Sequence, residues 1–235
     1  MKRFYKNAEI AKQDGGYAVT LDGRDIKTPQ RSPLVVPGRA LALAIAAEWQ
    51  EQGEEILPET MPMTALAHGA LDQLTKERGR IVGRIAGFAD SDMLYYRPDE
   101  GQPDLAAHQQ AQWNPLLDWA RNRYDISFVL IEGIMHRPQP ENTTSKLFKA
   151  VDSYDNFTLA AMLSLAGLSA SLIVTLALVE GAYDAQTLWP LINLEELWQE
   201  KQWGQDDEAM ALRAKREQDF LIADRFLKIL SEKTQ

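Results

Sequence analysis

The sequence predicts an α+β chain: a small N-terminal β-rich domain over residues 1–58, carrying one helix at about 38–53, then a larger mainly α-helical domain over 59–235. Three observations predict it. The first forty residues break into short alternating segments separated by glycine turns. After Gly38 the apolar residues recur at helical spacing. Between Asp155 and Glu180 no charged residue occurs, which marks deeply buried helices.

In the β-rich part, Glu9–Gln13, Tyr17–Leu21, Arg24–Thr28 and Leu34–Val36 read as strands. Asp14-Gly15-Gly16 and Asp22-Gly23 supply the positive φ that tight hairpins need. Tyr17, Val19 and Leu21 alternate with Ala18 and Thr20, so one face can be buried. Leu41, Ile45 and Trp49 form one helical stripe that Gly53 ends, and Glu54–Pro62 is a loop. Leu66, Ala70, Leu71 and Leu74 mark a second helix, and Ile81, Ile85 and Phe88 a third. Trp113 and Trp119 sit on a further helix, followed by a strand at Ile126–Ile131 and a linker at His136–Thr144 with two prolines. Phe157–Val179 is long enough to span a bilayer, but its many small residues and its flanks fit two short core helices, with Gly167-Leu168-Ser169 dividing them. Asp206–Glu232 is one amphipathic helix with Phe220, Phe226, Leu227 and Leu230 inward.

Composition narrows the function. The chain has no cysteine, which excludes disulfides, thiol catalysis and Cys-ligated zinc. A net charge of −9 disfavours nucleic acid and favours a basic partner surface. No signal-like apolar stretch follows Met1, so a cytoplasmic protein is expected, or a mitochondrial matrix one if processed. His68, His108 and His136 have no partner at ligand spacing, so no metal is expected, and no motif calls for a cofactor. Gly79, Gly83 and Gly87 read either as a phosphate cradle or as a bare helix face for close backbone approach. Asp90, Asp92, Tyr95 and Arg97 allow a small-molecule enzyme pocket as the alternative reading. Leu194-Glu195-Glu196-Leu197-Trp198-Gln199, with Trp203 and Asp206, sets carboxylates beside aromatic anchors. A plain helix with solvated acids fits that segment as well.

Stretches spread over nearly the whole chain carry a resemblance. They are Arg3-Phe4-Tyr5-Lys6, Leu21-Asp22-Gly23-Arg24 with Thr28-Pro29, Ala46-Ala47-Glu48-Trp49 with Gln52, and Pro58 with Met61-Pro62-Met63-Thr64. Asp92-Met93-Leu94-Tyr95-Tyr96-Arg97, Gln112-Trp113-Asn114-Pro115-Leu116-Leu117, and Glu195-Glu196 with Trp198-Gln199 and Trp203-Gly204 complete them. In order and spacing the sequence resembles the ATP12 family, assembly chaperones of the F1 sector of ATP synthase. The resemblance implies a non-enzymatic protein, a monomer that transiently binds the unassembled F1 α subunit and prevents its misassociation before β docks. It implies the same α+β organisation, and it sets the family's important acidic residue at Glu195. Glu195, Glu196, Trp198, Trp203 and Asp206 are then the expected partner-binding residues. One departure is Asn114, where the family carries Asp; at an expected helix start Asn still caps.

Overall fold

The computed structural model describes residues 1–232. A small N-terminal sheet is followed by a larger, predominantly helical region, as the residue pattern requires. The chain forms two compact units. One holds residues 1–78, 155–161 and 222 onward; the other holds 79–154 and 162–221.

In the first unit, β1 (Ala8–Gln13) and β2 (Gly16–Leu21) form an antiparallel hairpin, with Ala8 opposite Leu21 and Gln13 opposite Gly16. Gly16 is obligatory: its φ is +150°, and a Cβ there would lie 2.1 Å from the Val36 carbonyl oxygen. The short strands β3 (Arg24–Asp25) and β4 (Val35–Val36) both pair with β2, along different stretches of it. Of the strand expected at Arg24–Thr28 only Arg24–Asp25 pairs regularly; Ile26 still donates to the Val19 carbonyl at 3.1 Å, and the Thr28 hydroxyl lies 2.6 Å from Asp72 Oδ1. Helix α1 (Arg39–Gln50) lays Leu41, Ala42, Ile45 and Ala46 against Val19, Leu34 and Val36. Ala161 and Phe226, far away in sequence, complete this core.

The second and third expected helices are one helical stretch. Helix α2 (Pro62–His68) runs through a wide turn at Gly69–Gln73 into α3 (Leu74–Gly87), which bends at Glu77 (φ −126°, ψ 25°). Gly69 keeps helical dihedrals, so nothing stops the helix there. The first turn of α2 is held from α1. The Glu48 carboxylate accepts from the Met63 N–H (2.6 Å), the Thr64 N–H (2.8 Å) and the Thr64 hydroxyl (2.7 Å). Burial pushes the Glu48 carboxyl up, and these bonds oppose that rise. The Arg3 guanidinium binds the carbonyls of Tyr5, Lys6, Gln50 and Gln52, tying the N-terminal segment to the end of α1. A Cβ at Gly79, Gly83 or Gly87 would meet nothing within 4 Å. The close backbone approach expected at those glycines is therefore absent among the described residues.

In the second unit, β5 (Tyr96–Arg97) pairs in parallel with β6 (Ile131–Glu132), so only the end of the expected Ile126–Ile131 strand is paired. Helix α4 spans Pro103–Tyr124. Helix α5 (Glu141–Asp152) begins inside the expected His136–Thr144 linker, because Pro140 sets up its start rather than ending a loop. The long apolar run divides into α6 (Asn156–Ser169) and α7 (Leu172–Val179). The break falls at Ala170 (φ 48°), not at Gly167, which stays inside α6. Ser171 caps α7 by accepting from the Val174 N–H at 3.0 Å. No helix among the described residues is long and apolar enough to cross a membrane. The remaining helices are α8 (Ala185–Ile192), α9 (Leu194–Trp203) and α10 (Asp207–Ser231).

Asp92 fastens the α6–α7 break. It is fully buried and accepts from the Leu94 N–H, the Ser171 hydroxyl and the Ile173 N–H at 2.9–3.0 Å. Burial pushes its carboxyl up to about 6, against the pull of these donors. The folded value thus lies above the unfolded one, so the stability tied to this group is complete below the ordinary carboxylate range. It is lost as pH rises through about 6. Asp92→Asn removes that dependence. Chemical denaturation between about pH 5 and pH 7 should show the stability of the native protein, relative to the variant, falling as pH rises. A flat difference would show that the Asp92 carboxyl does not titrate in this window.

Candidate functional site

The segment singled out in the sequence is α9 with its flanks. Asn193 precedes it, buried, giving its amide to the Trp189 carbonyl at 2.8 Å. Glu195 and Glu196 fall in the first turn, where the helix dipole favours negative charge. The two are not equivalent. The Glu196 carboxylate is held by Arg213 (3.0 Å) and Arg216 (2.7 Å), both on α10. Glu200, one turn on, takes Arg213 in a two-pronged pair at 2.6 and 3.0 Å. Hydrogen bonding to Glu200 raises the Arg213 pKa above its ordinary value. Glu195 is exposed and accepts one bond, 2.6 Å from the amide of fully buried Gln109 on α4.

These residues border a cleft of about 470 Å³ shared by Met93, Tyr96, Trp113, Glu195, Glu196 and Arg216. Its floor is well braced. The Trp113 indole N–H donates to the Leu191 carbonyl at 2.9 Å, and the Arg97 guanidinium lies 5.1 Å from the centre of the Trp113 ring. Trp198 faces elsewhere: it stands against His108, ring centres 5.3 Å apart, and lines a separate groove. Trp203 closes α9 and is 78% exposed. Asp206 caps α10, accepting from the Ala209 N–H at 2.8 Å. The structure therefore brings Glu195 and Glu196 to one cleft, puts Trp198 in another, and leaves Trp203 and Asp206 lining neither.

Gln109, Arg213 and Arg216 are not among the residues the sequence singles out. The arginines had a signal, since they recur at three-residue spacing on a helix that could face Glu196 and Glu200. Gln109 had none.

The alternative pocket at Asp90–Arg97 does not assemble. Asp92 and Tyr95 are fully buried, and Asp92 is spent on capping. Asp90 accepts from the Gln139 N–H (2.8 Å) and lies 3.2 Å from His136. Arg97 points its guanidinium at the carbonyls of Leu94 and Tyr96 and at Asn114 Oδ1. Burial lowers its pKa to about 10. Asn114 is not a helix cap as expected, because α4 starts eleven residues earlier, at Pro103. Among the described residues no group of three or more His, Asp or Glu could hold a metal ion.

Residues 2–121 match the family model for the ATP12 chaperone protein. That span covers just over half of the 235 residues. The chain belongs to the ATP12 family. The mitochondrial protein atp12 of Schizosaccharomyces pombe is 28% identical over 219 residues, covering 88% of this chain and 75% of the relative. The crystal structure of Atp12 from Paracoccus denitrificans superposes with a TM-score of 0.92 at 36% identity, covering 97% of this chain and 98% of that one. A mutant of the same P. denitrificans protein gives 0.91 at 35%, covering 97% of each chain. The family model stops at residue 121, so α9 of this ATP12-family member lies beyond it.

Proposed function

We propose that this protein is an assembly chaperone for the F1 sector of ATP synthase. It binds the unassembled α subunit as a monomer and keeps it from misassociating until β docks. The observation that carries this reading is the whole-length likeness to Atp12 of P. denitrificans. An unpaired α subunit exposes surface meant for β, which is an aggregation hazard. Covering it calls for shape and charge, with no bond made or broken. The surplus of 34 acidic over 25 basic residues suits a basic partner surface, where charge speeds encounter and selects the partner. Glu195 is the acid best suited to the contact, since its neighbours Glu196 and Glu200 already hold arginines.

A pull-down tests the reading. Immobilised protein should retain isolated F1 α, and should not retain β or assembled F1. Orphan α that stays equally soluble in its absence would overturn the proposal.

A further inference from the structure

Gln109 lies on α4 with no exposed surface, one turn from Leu105 and Trp113, which are buried too. Its side-chain amide reaches across to α9 and donates to Glu195 Oε1 at 2.6 Å. Its carbonyl oxygen, also enclosed, has no partner among the described residues. The amide cannot turn round to cure this, because the carbonyl would then face the Glu195 carboxylate, acceptor against acceptor. A buried acceptor left unmet lowers stability, and the bond made in exchange goes to an exposed carboxylate that water would otherwise serve. Packing does not call for an amide here either. His108 of α4 already stands against Trp198 of α9, ring centres 5.3 Å apart, so an apolar side chain at position 109 would serve that contact as well.

What the amide does is restrain one surface side chain. A glutamate on a helix surface samples several rotamers, and a partner must freeze it on binding. Part of that cost is removed here in advance. Gln109 holds Oε1, and Oε2 has no partner among the described residues. Charge around the cleft points the same way. Glu196 and Glu200 match Arg213 and Arg216 one for one, so Glu195 is the carboxylate left over, and a cation complements it.

We infer that Gln109 is a positioning residue for the client contact proposed above: from the interior it holds Glu195 by one oxygen and leaves the other for a basic side chain of F1 α. The inference rests on the chaperone reading and adds to it a residue that has no surface of its own yet sets affinity.

Apolar replacement tests it. Gln109→Met keeps the length of the side chain and removes both the donor and the unmet acceptor. It should melt no earlier than the native protein and bind isolated α about tenfold more weakly, roughly the cost of one unrestrained side chain and one lost hydrogen bond. Gln109→Leu should do the same. A packing role would give the reverse, an early melt with unchanged affinity. In the Glu195→Ala background, where binding should already be weak, adding Gln109→Met should cost nothing further, since the amide has no carboxylate to hold. Native affinity in both apolar variants, beside weakened binding of Glu195→Ala, overturns the inference and spares the chaperone reading. Native affinity of Glu195→Ala itself removes the contact and the inference with it. A tenfold loss that recurs in full without Glu195 shows that Gln109 acts by another route, and early melting of both apolar variants makes it part of the fold; either overturns the inference. Failure of the unaltered protein to bind α overturns the chaperone reading as well.

Discussion

Trp49→Arg is expected to remove this protein from the soluble fraction. Trp49 is half-buried on α1 and packs against both apolar clusters of the N-terminal unit. Its ring centre lies 5.8 Å from that of Tyr5, whose hydroxyl donates to the Trp49 carbonyl at 2.6 Å. Its indole N–H is enclosed and has no partner, so even the native residue leaves one donor unmet there. A guanidinium in that place brings several unmet donors and a charge. Loss of the aromatic contacts alone is worth about 3–5 kcal/mol, and an unpaired buried charge adds to it. Since a domain is stable by only about 5–15 kcal/mol, the fold should fail. The check is soluble yield, with Trp49→Phe as the milder comparison. Normal soluble yield of the arginine variant would show that the Trp49 pocket tolerates charge, and would remove this side chain from the determinants of the fold.

Glu195→Lys should do the opposite, abolishing capture of isolated α while melting within a few degrees of the native protein. Its carboxylate is exposed and makes one hydrogen bond. An exposed ion pair is worth only about 0.2–1 kcal/mol, so a large loss requires that the partner desolvate it. Breaking a buried pair costs roughly 3–5 kcal/mol, about a hundredfold to a few thousandfold in affinity. Glu196→Lys is the informative control. It breaks the ties to Arg213 and Arg216 and sets like charges together, so it should melt clearly earlier. If Glu195→Lys is the variant that melts early and Glu196→Lys the silent one, the assignment of the contact to Glu195 is wrong.

What could be read from residues alone follows the range of the forces involved. The hairpin at Gln13–Gly16, the stripe of α1 and the C-terminal helix were legible because each is set by local turn chemistry or by one helical face. The merging of α2 and α3, the start of α5 and the break at Ala170 were not. Gly69 and Pro140 are each compatible with helix as well as with its end, and at Ala170 a distant group decides: Met93 donates at 3.0 Å to the carbonyl of this alanine, which stands at positive φ. Residues behind the family resemblance proved largely architectural: Arg3 gathers carbonyls, Glu48 starts α2 and Asp92 fastens the α6–α7 break. The acidic segment of α9 was legible as a candidate. That Glu196 is held by arginines while Glu195 takes only the Gln109 amide depends on which face of α10 meets α9, and the spacing of Arg213 and Arg216 permits that face without fixing it.

The N-terminal sheet has a dependency that shapes how the protein is born. Its hydrophobic interior is finished by Ala161 and Phe226, neither of which leaves appreciable surface uncovered. A nascent chain that has emerged only through Arg78 holds every strand of the sheet and lacks both plugs. Synthesis must run past Phe226 before that interior closes, so a ribosome stalled earlier would display a sticky, half-made sheet. A protein proposed to shelter others is itself exposed until α10 arrives.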